Sequence, residues 1–261
     1  MRKICRLFPV IAVFLSGCME ISQNIVVDQA GSGHIELYCI IPERTIVQFK
    51  AMRKLQAEME KAAGKDVLRN SAADGETFAL EKRLYRNLGL LMDGVEEQIR
   101  SRLSVYRKDG ISVDHLKISV RNASRHIRLK LHFTDIAKAA QTELFRTHWP
   151  LDLVKTDDGN YLLRNSVRLG SEPGPSEPPD DKELKSVEPV FLGFKARFKI
   201  SVPGDILKAG TNRKSKRSAV WLYDFNSDSR AFYAFQRGEM NVLFDGEGLG
   251  LPVTVQEKEN Q

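Results

Sequence analysis

Residues 21–41, ISQNIVVDQAGSGHIELYCII, decide how the chain is read. Ile35, Leu37, Cys39 and Ile41 alternate with His34, Glu36, Tyr38 and Ile40. That is the period-two pattern of a strand with one buried face. Gly31-Ser32-Gly33 supplies the turn, so the stretch reads as a β-hairpin. A GxG beside a strand raises the question of phosphate binding. No third glycine follows at dinucleotide-fold spacing, and the next residues are strand-like, so the turn reading stands. Cys39 falls on the apolar side and reads as a small core residue.

Downstream, Pro42 reads as a first-turn proline. Ile46, Phe49, Met52, Leu55, Met59 and Ala62 recur at three- and four-residue steps, predicting an amphipathic helix over about 42–63 with Gly64 as its stop. Its other face is mixed in charge, which suits a helix packed on a sheet; the rival is a helix lying on a membrane. After a polar stretch at Asn70–Glu76, a second helix is expected near Asp93–Leu103 through Val95, Ile99 and Leu103. Leu116, Ile118 and Val120, then Ile127, Leu129, Leu131 and Phe133, predict two strands joined at Asn122-Ala123-Ser124. Their outward residues include Lys117, Arg121, Arg128 and Lys130. A short helix over Asp135–Phe145 and a hairpin turning at Asp157-Asp158-Gly159 follow.

Residues 170–189, GSEPGPSEPPDDKELKSVEP, read as an exposed loop too poor in apolar residues to order itself. Phe194, Ala196, Phe198, Ile200 and Val202 then alternate with basic residues up to a Val202-Pro203-Gly204-Asp205 turn. SAVWLYDF carries Ala219, Trp221, Tyr223 and Phe225 on one side, RAFYAFQ adds a last strand or short helix, and the polar tail from Asp245 is expected to fray. The fold class expected is α+β. It is a mostly antiparallel sheet built from hairpins, with one long amphipathic helix and shorter helices packed on it.

The N-terminus gives the address. Arg2, Lys3 and Arg6 precede nine apolar residues, Leu7–Leu15, then Ser16-Gly17-Cys18. Nine residues are too few to span a bilayer, which takes about 20; the segment has the parts of an export signal. Leu15-Ser16-Gly17-Cys18 resembles the lipobox of bacterial lipoproteins. The resemblance implies cleavage between Gly17 and Cys18, a diacylglyceryl thioether on Cys18 and an acyl chain on its new amino group. Residues 1–17 would be removed, 18–250 would form one ectodomain, and 251–261 a polar tail. Met19 is not the aspartate that retains enteric-type lipoproteins at the inner membrane, so the resemblance favours the outer membrane of a diderm envelope. The whole chain has 40 basic and 34 acidic residues, a formal +6. Without the signal, 37 basic face 34 acidic, about +3. That small excess and the export signal argue against nucleic acid as a partner.

A second resemblance follows from Gly31 and Gly33 in the first hairpin, Pro203-Gly204 in the later turn and Trp221 in the strand after it. Together they resemble the LppM-like bacterial lipoprotein domain family. That implies a membrane-tethered α+β ectodomain associated with envelope lipids or glycolipids, and it carries over no catalytic residue. The 170–189 insertion and the long middle region depart from it.

Catalytic and metal signatures are missing from the linear sequence. The five histidines, His34, His115, His126, His132 and His148, form no HExxH, and no CxxC accompanies them. His126 and His132 share a strand face with Arg128 and Lys130. There is no GxSxG elbow and no Walker loop. No cofactor or metal is expected. Arg213, Lys214, Lys216 and Arg217 are the densest basic cluster, read either as a solvated loop or as a contact to anionic headgroups. The sequence therefore predicts a non-enzymatic, lipid-anchored envelope protein binding a lipid or a partner protein. The rivals are a scaffolding subunit and an enzyme whose residues converge only in space.

Overall fold

The hairpin at the start of the chain sits at the centre of the fold. β1 (Glu20–Val27) pairs antiparallel with β2 (Gly33–Pro42), with Ile25 opposite Ile35 and Ile21 opposite Cys39. The computed structural model describes residues 19–48, 94–166, 193–211, 213–228 and 239–253, with helical positions 50, 51, 54, 58, 89, 91, 92, 231, 234 and 235. The connection is tied by Asp28. Its Oδ1 accepts from the N–H groups of Ala30 and Ser32 at 2.9 and 3.0 Å, and its own N–H donates to the Ser32 carbonyl at 2.9 Å. Gly31 takes φ 79°, the left-handed region that glycine enters without steric cost.

β3 (Ile111–Arg121) and β4 (Ser124–Phe133) form a long hairpin. Both of its turn residues, Asn122 and Ala123, have positive φ, as a two-residue turn matched to strand twist requires. β5 (Leu151–Lys155) and β6 (Tyr161–Ser166) form a third hairpin with Gly159 at φ 80°. β7 (Lys195–Ser201), β8 (Ile206–Ala209), β9 (Ser218–Asp224) and β10 (Glu239–Phe244) complete the set. The six-stranded sheet has the order β3-β4-β2-β1-β7-β9 and the four-stranded sheet β5-β6-β10-β8. Strands β1 and β7 run parallel, from Glu20 beside Lys195 to Val26 beside Ser201.

The expected α+β class is corrected by this architecture. Ten strands in two sheets dominate, and the named helices are short. They are α1 (Glu96–Ser104), α2 (Ile136–Gln141), α3 (Glu143–Thr147) and a 3-10 turn at Val105–Asp109. Pro42 is not a first-turn helix residue; it ends β2 opposite Ser124. Residues 43–48 are helical and Ile46 is buried. Of the remaining residues in the expected stripe, Phe49, Met52, Leu55, Met59 and Ala62 lie outside the described residues, as do residues 1–18 and 170–189 and the end of the tail.

Smaller corrections have local causes. In α1, Ile99 and Leu103 are buried, but Val95 precedes the helix and is exposed. The helix expected over Asp135–Phe145 is two helices. Thr142 has an extended ψ of 150° and caps α3, its hydroxyl accepting from the Phe145 N–H. The expected turn at Pro203-Gly204 is present as a bend, and it carries the chain from β7 in one sheet to β8 in the other. The segment after Asp245 is packed up to Val253. Leu251 is buried, and Tyr161 Oη donates to the Leu249 carbonyl and accepts from the Leu251 N–H, both at 3.1 Å.

One core joins both sheets, from Ile25, Ile35 and Ile127 to Leu153, Leu163 and Val242. Phe235 lies in the middle of an aromatic group. Its ring centroid is 5.6 Å from Phe194, 6.1 Å from Phe198, 5.4 Å from Tyr223 and 6.3 Å from Phe225. Such edge-to-face and tilted contacts stabilise beyond area burial alone. Residues 231, 234 and 235 are helical, so the short-helix alternative for RAFYAFQ is the one adopted at the described positions.

Candidate ligand-binding face

The six-stranded sheet turns one face to the core, and the other carries nearly all its charge. Alternation fixes which residues share that outer face, and register fixes which are neighbours. One transverse row reads Lys117, Arg128, Tyr38, Ser22, Arg197 from β3 to β7. The next reads His115, Lys130, Glu36, Asn24, Lys199. Beyond it His132 stands opposite His34, and on the other side His126 stands opposite Ile40. Four of the five histidines therefore lie on this face.

The charge on these rows is unbalanced. Lys130 binds Glu36 at 3.0 Å and Lys195 binds Asp224 at 3.4 Å. Lys117, Arg128, Arg197 and Lys199 have no carboxylate within ion-pair distance among the described residues. His115 stands opposite Lys130, and Lys117 stands directly opposite Arg128, a like-charge pair. Like charges opposite each other on adjacent strands cost stability. Arg128 lies 5.4 Å from the Tyr38 ring centroid, a cation–π contact that holds the guanidinium above the sheet. Tyr38 Oη is 3.3 Å from His126 Nδ1.

A shallow hollow of about 480 Å³ opens on this face over β1–β4, lined by Asn24, Glu36, Tyr38, His115, Arg128 and Lys130 among others. Asn24 Nδ2 donates to Glu36 Oε2 at 3.3 Å, while Asn24 Oδ1 is shielded from solvent and accepts no hydrogen bond. Glu36 is held below the usual carboxylate range, first by the Lys130 hydrogen bond. His34 is held below the usual imidazole range, first by burial and then by the Lys130 charge. Among the described residues no group of three or more His, Cys, Asp or Glu side chains is placed to hold a metal.

The lipidation site and the basic cluster singled out from sequence lie elsewhere. Gly17 and Cys18 are outside the described residues, but Met19 is buried and its carbonyl accepts from the Lys195 N–H at 2.9 Å. The basic cluster is at the opposite end of the sheet, just before β9 begins. Lys216 and Arg217 reach Asp205 at 3.2 and 3.5 Å, and Lys214 Nζ donates to the Leu207 carbonyl at 3.2 Å. Arg213 is exposed beside them. Cys39 is fully buried and free, and burial pushes its thiol up to about 12. Arg197 and Lys199 belong to the charged face through the parallel β1–β7 pairing, which no local sequence pattern announces.

No family model and no curated protein sequence matches the chain. Among solved structures it is similar to the folded domain of the Mycobacterium tuberculosis LppM protein. The likeness has a TM-score of 0.37 and 10% identity, and covers 90% of this chain and 95% of that one. A likeness of that extent does not carry function from one chain to the other. Among the described residues no helix is long and apolar enough to cross a membrane.

Proposed function

We propose that the chain is a non-enzymatic envelope lipoprotein, anchored through Cys18, that works against the membrane surface with the outer face of its six-stranded sheet. The observation that carries this reading is the cation lattice itself. Lys117, Arg128, Arg197 and Lys199 stand on one sheet face without carboxylate partners among the described residues. Each basic side chain near an anionic bilayer contributes about 1 kcal/mol. The lipobox-like Leu15-Ser16-Gly17-Cys18 supports the anchor, because β1 begins at Glu20, two residues after the cysteine. Two or three acyl chains on Cys18 would hold the domain at the bilayer without a linker.

Two measurements test the reading. Cys18→Ala should move the chain out of the membrane fraction and abolish incorporation of labelled palmitate; a membrane-bound, unlabelled variant would remove the anchor. For the face, the anchored full chain is treated with a water-soluble amine label in vesicles containing anionic lipid, and again in uncharged detergent. Lys117, Lys130 and Lys199 should be protected in the vesicles, and Lys208 and Lys214 should label equally in both. Equal labelling of all five would defeat the proposed contact.

A further inference from the structure

We propose that the hollow on the outer sheet face is a seat for an anionic phosphodiester headgroup that carries a free hydroxyl. The phosphate would sit against Arg128, with the Tyr38 hydroxyl and His115 at its sides, and the hydroxyl would reach Asn24. This rests on the reading of that face as the membrane-facing surface and names what it recognises there.

Three features converge on this chemistry. The first is the donor set. Arg128 presents a planar fork of N–H groups that matches phosphate oxygens, and it has no carboxylate to satisfy it among the described residues. The second is the electrostatic arrangement. Lys117 opposite Arg128 puts two cations together, with the Lys130 ammonium in the next row, and an oxyanion between them would relieve that repulsion. The third is Asn24 Oδ1, a shielded acceptor without a donor. A phosphate has no proton to offer it at neutral pH, whereas a hydroxyl on the same ligand does. A buried unsatisfied acceptor has a cost that such a donor removes. Glu36, bound to Lys130 and Asn24, marks the acidic side of the hollow and turns the phosphate toward Arg128.

The sequence supplies an internal control for the test. Four of the five histidines stand on the outer sheet face, and His148 follows α3, away from it. The full lipidated chain, labelled on its histidine rings, is titrated in uncharged detergent micelles with phosphatidylglycerol in one arm and inorganic phosphate in the other. Phosphatidylglycerol should shift the His115 and His126 signals and leave His148 in place, with inorganic phosphate weaker. Arg128→Gln should weaken the phosphatidylglycerol response about tenfold, the loss of one charge-assisted bond. Asn24→Leu should remove the advantage of phosphatidylglycerol over inorganic phosphate. Lys216→Gln, at the far end of the sheet, should change nothing. Equal responses to the two ligands in the unmodified chain would overturn the hydroxyl contact and leave a free-phosphate seat. An unchanged response in Arg128→Gln would overturn the seat while leaving a diffusely attractive face. No histidine response to either ligand would overturn both the seat and the membrane-facing reading beneath it.

Discussion

Tyr161→Phe isolates one fastening of this fold. The ring of Tyr161 is 1% exposed and stacks on Phe244 at 5.7 Å between centroids. Phenylalanine keeps that packing, so the substitution removes only the hydroxyl. The hydroxyl has two backbone partners in the segment after β10, the Leu249 carbonyl and the Leu251 N–H. A buried donor left without a partner costs about 1–3 kcal/mol, and the lost carbonyl bond adds to this. The expected loss is about 2 kcal/mol, a factor of up to about 30 in the equilibrium that keeps the segment docked. The segment also covers the first hairpin, where Pro252 lies close over Gly31, so its release should loosen that turn too. Amide exchange of Leu251 and Gly31 reads the local effect, and urea unfolding reads whether the loss reaches the whole domain. Unchanged exchange at Leu251 together with an unchanged urea midpoint would refute the docking of residues 245–253.

Other consequences can be measured separately. Cys39 should resist a thiol reagent at pH 8 in the native protein and react after urea unfolding, because its thiol is buried and pushed up to about 12; native labelling would mean the β1–β2 region opens. The depressed His34 predicts a pH dependence of stability. Its native state binds fewer protons than the unfolded chain, so its contribution is complete above pH about 6.5 and is lost as pH falls toward the lower native value. His34→Gln should flatten stability from pH 6.5 downward. The depressed Glu36 adds a second loss below its ordinary value of 4.5. Glu36→Gln should remove that lower-pH portion and deepen the His34 loss, because the carboxylate 3.6 Å from His34 Nε2 opposes the His34 depression; urea midpoints against pH follow both.

The sequence made the local hairpins legible and left the sheets illegible. Ile35–Ile41 and Ile127–Phe133 alternate cleanly because one face of each strand meets the core; Leu116–Val120 alternates in sequence too, but Leu116 is buried, Ile118 partly buried and Val120 59% exposed. Nothing local to β7 states that it will lie parallel to β1, yet that pairing brings Arg197 and Lys199 beside Ser22 and Asn24. The same limit hid β10. Met240, Val242 and Phe244 do alternate, but the strand matters because it joins β6 to β8, and those partners are distant in the chain. The ambiguity at Pro42 has a different cause. A proline is compatible with a first helical turn and with a strand end, and the Ser124 pairing chose the strand. Of the charged face, Lys117, Arg128, Lys130 and two histidines were readable as outward residues. Their concentration was not, because it is a sum over five strands.

Strand direction also sorts the two basic regions. β1 and β7 both start at the end nearest Cys18, whereas β9 runs the other way and ends there. From Glu20 to Val26 the sheet extends seven residues, about 20 Å at the rise of a strand. Arg213, Lys214, Lys216 and Arg217 precede β9 and so stand at the far end of that length. On the proposed anchor, with no linker between Cys18 and β1, an upright domain would carry this cluster away from the bilayer that holds it. A domain lying on its outer face would instead bring Lys117, Arg128, Arg197 and Lys199 to the headgroups together. The second arrangement needs no extra segment, and it brings the cations without carboxylate partners to the anionic surface. Two cations of the far cluster already share Asp205. Exposed pairs of that kind contribute about 0–1 kcal/mol to stability, so Asp205 lowers the local positive field more than it fastens the fold.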